Sequence, residues 1–98
     1  MASIVAVGSA VLDRIYTVTN LPEPDGGAFV TDRARRGGGV AANVACACAA
    51  LNHDAAVVSR VGDDDAAETI VDSIRAWGVD ADAVRRGDGA SSYTLILR

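Results

Sequence analysis

Lysine is absent: all nine basic residues of the 98 are arginine. Histidine occurs once, at His53, and cysteine twice, at Cys46 and Cys48. So thin a set of nitrogen and sulfur ligands gives no metal-binding spacing and no Ser-His-Asp arrangement. The two cysteines stand two apart. On a helix such positions point about 200° away from each other, so they cannot bridge, and they read as small buried helix residues. No apolar run reaches the length of a membrane span. The run Ile4-Val5-Ala6-Val7 lacks the basic flank and the length of a signal peptide. With the unpaired cysteines, this points to a reducing, cytoplasmic setting. Positive charge is also short: the net charge is -4 and the pI about 4.7, which excludes a nucleic-acid backbone as the main partner. Both G-x-x-x-x-G-K-[ST] and G-x-G-x-x-G are missing, so neither a P-loop nor a dinucleotide fingerprint is present, although Gly8 follows a strand where the latter would begin.

Small and apolar residues fill the space. Half of the chain is hydrophobic, enough for one small domain and too little for two. Arginine without lysine, aspartate over glutamate and abundant alanine suit a GC-rich genome and a salty cytoplasm, a statement about habitat and not activity. Ser3–Val7 is rich in β-branched residues and ends at Gly8, as a buried strand does. Arg14–Thr19 and Ala28–Arg36 read as two strands joined by the reversal Leu21–Gly27, which holds both prolines. Gly37-Gly38-Gly39 breaks the chain. Val40–Leu51 is predicted to be a helix on its alanine content, and its apolar character all round predicts burial on more than one side. Ala55–Val61 is a strand. Ala66–Trp77 is a helix capped by Asp65 with Glu68 three residues on, and Ala67, Ile70, Val71, Ile74 and Trp77 form one stripe that places Trp77 in or beside the core. Gly78 stops it. Gly87–Ala90 is a turn, and Ser92–Leu97 a last strand. Strands alternating with helices make an α/β fold. Two or three parallel strands do not cover both faces of their sheet, so the chain is expected to be a fragment or to need a partner.

Two segments carry chemistry. Gly8-Ser9-Ala10-Val11-Leu12-Asp13 sets a lone acid just past a strand end, where open α/β sheets bind ligands. Taken alone, Asp13 reads first as a turn residue or a partner for Arg14. In Gly38-Gly39-Val40-Ala41-Ala42-Asn43, glycines at a helix start allow close approach of a ligand to free N–H groups. Asn43 sits one turn into an apolar helix. As a buried amide it needs partners, either nearby backbone or a ligand.

Taken in order, G-S-x-x-x-D (Gly8, Ser9, Asp13), G-G-x-x-x-N-x-A (Gly38, Gly39, Asn43, Ala45) and Gly62-Asp63-Asp64 with its helix resemble the N-terminal part of the ribokinase family, the PfkB carbohydrate kinases. The match runs over essentially the whole chain. The resemblance implies a Rossmann-like three-layer α/β fold with a small β-sheet lid, residues 1–98 forming the N-terminal part of a single kinase domain. Lid strands would fall at about 14–36 and 92–98. It implies ATP-dependent phosphorylation of a sugar or nucleoside hydroxyl, with ATP and Mg2+ in the complete enzyme and neither held by these residues alone. Asp13, Gly38, Gly39 and Asn43 would hold the substrate. No catalytic residue is expected here, because the family's Gly-Ala-Gly-Asp signature lies downstream. Val40 stands where ribokinases proper carry lysine, and Val11 where a polar sugar contact is common, so the choice of sugar or nucleoside stays open. Beyond that small molecule, the resemblance implies a homodimer through the lid, and neither nucleic acid nor membrane. The alternative is a non-catalytic module that dimerises or binds a sugar through the lid. A dinucleotide-binding fragment is a third reading, without the glycine spacing.

Overall fold

The computed structural model describes residues 3–98. β1 (Ile4–Val7) leads into β2 (Val11–Val18) and β3 (Val30–Gly38), then α1 (Val40–Ala50), β4 (Ala55–Val61), α2 (Asp65–Ala76), β5 (Val84–Arg86) and β6 (Tyr93–Leu97). The strands form two sheets. In one, β1, β4 and β5 run parallel in that order; in the other, β2 lies between β3, antiparallel to it, and β6, parallel to it.

The parallel sheet follows from its connections. The steps β1 to β4 and β4 to β5 go the same way, and right-handed crossovers then put α1 and α2 on one face. Burial agrees with this. Ala55, Val57 and Val61 join Ala42, Ala45, Ile70, Val71 and Ile74 in the core, whereas Val5, Val7 and Val58 on the opposite face are exposed. The second sheet is a lid. Its middle strand enters the core through Leu12, fully buried, but β3 is exposed from Val30 to Arg36. The molecule measures 51 × 32 × 18 Å with a radius of gyration of 15.3 Å, against about 13 Å for a compact chain of this length. No helix of the described residues is long and apolar enough to cross a membrane.

Several expectations are corrected. β2 begins at Val11, so Asp13 is inside a strand and not in the turn before it. Gly37 and Gly38 do not break the chain: they pair with Leu12 and Val11 at the end of β3, and Gly39 alone makes the break. α1 is buried on one side only, through Ala41, Ala42 and Ala45; Val40 and Val44 face out. Apolar composition did not report sidedness because alanine suits both faces of a helix. α2 starts one residue earlier and is capped by Asp64, whose side chain accepts from the Ala67 N–H at 3.0 Å, and not by Asp65. Three consecutive aspartates offered the cap to each. The three-residue β5 was not foreseen; it is too short to show a period. Trp77 ends α2 at 58% exposure, outside the core.

Candidate functional site

A cleft of about 440 Å³ opens where the lid meets the two helices, lined by Asp13, Arg36, Gly37 and Gly38 from the lid, Asn43 and Cys46 from α1, and Ile70, Ser73, Ile74 and Trp77 from α2. The β2–β3 register sets Asp13 opposite Arg36, and the β2–β6 register sets it beside Thr94. Three polar side chains therefore line up across the lid. The Thr94 hydroxyl donates to Asp13 Oδ1 at 2.6 Å, and Arg36 Nε stands 4.0 Å from Oδ2. Only 17% of the Asp13 side chain is exposed, so its carboxylate is held with one face toward the cleft.

The glycines make this carboxylate possible. A Cβ on Gly38 would collide with the Asp13 carboxyl group. Gly39 takes φ of 99°, a conformation that L side chains rarely adopt, and a Cβ there would meet the Ser9 carbonyl oxygen at 2.6 Å. Gly39 caps α1 without a side chain of its own. Ser9 does that work from the β1–β2 turn: its Oγ accepts from the Val40 N–H at 3.0 Å and its carbonyl from the Ala42 N–H at 3.2 Å. The serine of the first motif thus ties the glycine helix to the base of the lid. Among the described residues, no hydrogen bond occupies the Gly39 N–H.

The third motif is structural. Asp64 caps α2 and also accepts from the Ser91 N–H at 2.8 Å and the Ser91 hydroxyl at 2.7 Å, while the Gly62 N–H donates to Ser91 Oγ at 2.9 Å. These bonds anchor Ser91, two residues before β6 and three before Thr94. The Ser91 hydroxyl and N–H, and the Ala67 N–H, hold the Asp64 carboxyl below the usual carboxylate range. Burial pushes the Cys46 thiol in the cleft wall up; neither cysteine is bridged.

Asp13, Gly38 and Asn43 are brought to one cleft. Gly39 is not among its lining residues and lies one position behind them. Asn43 is exposed, not the buried amide its apolar neighbours suggested. Arg36, Thr94, Ser73 and Trp77 were not found from the sequence. Their membership depends on strand register and on the approach of α2, which no local pattern encodes. His53 is an exposed connection residue, as expected.

A parallel sheet backed by two helices, a second small sheet, and a cleft between that sheet and the two helices define a ribokinase-like α/β fold. The chain belongs to the pfkB family of carbohydrate kinases, whose family model matches residues 1–97. It is 37% identical over 99 residues to the ATP-dependent ribose-1-phosphate kinase of Halopiger xanaduensis, a match covering 98% of this chain and 33% of that protein. Among solved structures it resembles Arabidopsis thaliana ribokinase complexed with ribose and ATP, at 25% identity and a TM-score of 0.85, over 98% of this chain and 32% of that one. Ribokinase from Thermotoga maritima shares the fold at a TM-score of 0.87 and 20% identity, over 99% and 32%. The chain spans about a third of the length of these relatives.

Proposed function

We propose that these residues form the acceptor-holding part of an ATP-dependent carbohydrate kinase, residues 1–98 being the N-terminal part of one kinase domain. The observation that carries this is the single cleft lined by Asp13, Gly38 and Asn43, with the carboxylate fixed by Thr94. An ionised carboxylate is acceptor-only and suits two neighbouring hydroxyls. Asn43 adds both a donor and an acceptor, and the unoccupied Gly39 N–H a further donor at the positive end of α1. Together they bind and orient the sugar, and the lid with α2 shields it from water. Orientation is what phosphoryl transfer asks of the acceptor side. ATP, when bound to the complete enzyme, supplies the phosphoryl group. The catalytic base belongs to the family's downstream signature. Similarity to the Halopiger kinase over nearly the whole chain supports a sugar acceptor over a nucleoside.

Calorimetric titration with a sugar and nucleoside panel tests this. The wild-type chain binds a sugar, and both Asp13→Ala and Asn43→Ala lose that binding while keeping the wild-type circular dichroism. Unchanged affinity in both variants removes the site.

A second reading, a homodimer through the lid, is favoured by β6. Tyr93, Leu95 and Leu97 alternate onto one face of that edge strand and all three are exposed. Unpaired, apolar edges seek partners. Sedimentation giving a concentration-independent monomer argues against it.

A further inference from the structure

We propose that Arg36 determines the specificity of this cleft, and that the acceptor it selects is a sugar already carrying a phosphate. The inference rests on the acceptor-site reading above and narrows it. Arg36 is the one cation that lines the cleft. Cross-strand register fixes it opposite Asp13, yet it does not pair as a committed counter-ion does. Arginine–carboxylate pairs are typically bidentate at about 2.7–2.9 Å. Here a single atom, Nε, stands 4.0 Å from Oδ2, and the guanidinium makes no hydrogen bond among the described residues. Asp13 meanwhile takes its short bond from Thr94. By contrast Arg86, outside the cleft, reaches Glu68 at 2.8 Å.

The guanidinium fork is thus uncommitted, 65% exposed, and adjoins two residues without side chains, Gly37 and Gly38. The cleft presents an acceptor-only carboxylate beside a donor-only planar fork. Hydroxyls satisfy the first. The second matches the paired oxygens of an oxyanion, which a neutral sugar lacks. A phosphate on the sugar fills that need.

The test titrates the full chain with ribose 1-phosphate, ribose, gluconate and inorganic phosphate, by calorimetry and by the Arg Nε–H signals in nitrogen-15 spectra. Ribose 1-phosphate is expected to bind about tenfold or more tighter than ribose, the gain of a hydrogen bond to a charged group, and to move the Arg36 Nε–H signal. Arg36→Ala brings ribose 1-phosphate down to the affinity of ribose, and Arg36→Lys recovers part of the difference. Arg33→Ala, outside the cleft, changes neither. Equal affinity for ribose and ribose 1-phosphate in the wild type, or an advantage that survives Arg36→Ala, overturns the proposal while the sugar site stands. Gluconate or inorganic phosphate binding as tightly as ribose 1-phosphate overturns the assignment to a sugar phosphate. If neither ribose nor ribose 1-phosphate binds, the acceptor site falls and the proposal with it.

Discussion

The two sheets of this molecule are built on opposite terms. The parallel sheet sits under two helices and shares a core in which Val57, Ile70 and Ile74 are almost completely buried. The lid has one middle strand anchored by Leu12 and Ile15, and an outer strand whose residues from Val30 to Arg36 are all exposed. Hydrophobic burial is the main favourable term in folding, so stability resides in the first sheet. The polar residues of the site reside largely in the second, or at the glycine junction between them. A surface that must admit and release a ligand is drawn from the less stable part of a fold.

The strongest way to break this contrast is to empty the core. Ile70→Ala removes a fully buried side chain between α2 and the sheet and is expected to cost about 2–5 kcal/mol. Because α2 also flanks the lid, urea unfolding should show both regions failing in one transition. A surviving lid signal would show that the sheets fold independently. Next comes the junction. Gly39→Ala forces a side chain into a left-handed conformation and against the Ser9 carbonyl, with an expected loss of about 1–3 kcal/mol. Gly38→Ala instead displaces the Asp13 carboxylate, so sugar affinity should fall far more than the melting temperature does.

How much of this was open to sequence reasoning divides along the same line. Apart from β5, the parallel unit was legible nearly to the residue: Ala55–Val61 matches β4, and the stripe Ala67, Ile70, Val71, Ile74 is the buried face of α2. Local periodicity encodes such elements. The lid was legible as three strands and a reversal, but not as a paired sheet. Its register, which brings Thr94 and Arg36 to Asp13, depends on pairing over 81 residues in one case and across a long loop in the other. The glycines were read only partly. They read as a break, whereas Gly38 is a strand residue kept small by the carboxylate facing it.

Two smaller effects sharpen the contrast. Amide exchange should be faster in β3 than in β4 under native conditions, since β3 has few buried contacts; equal protection would contradict the assignment of stability to the parallel sheet. The second concerns acid. The Asp64 carboxyl is held below its ordinary value of 3.8 by Ser91 and Ala67. A depressed folded-state pKa contributes stability that is complete above the unfolded value and disappears as pH falls through the folded one. The urea midpoint should therefore be level above about pH 5 and decline below pH 3.8. Asp64→Asn should lower the midpoint at neutral pH and flatten that decline. An identical acid limb in the variant would assign the decline to other carboxylates.

Trp77, whose helical spacing set it in or beside the core, has an optical consequence where it lies. It is the only tryptophan of the chain, and it stands exposed on the wall of the cleft that holds Asp13 and Arg36. Excited where tyrosine hardly absorbs, the molecule emits from one indole on the wall of this cleft. Occupancy of the cleft can then be followed as a change in colour and quenching of that single emitter, with no label attached.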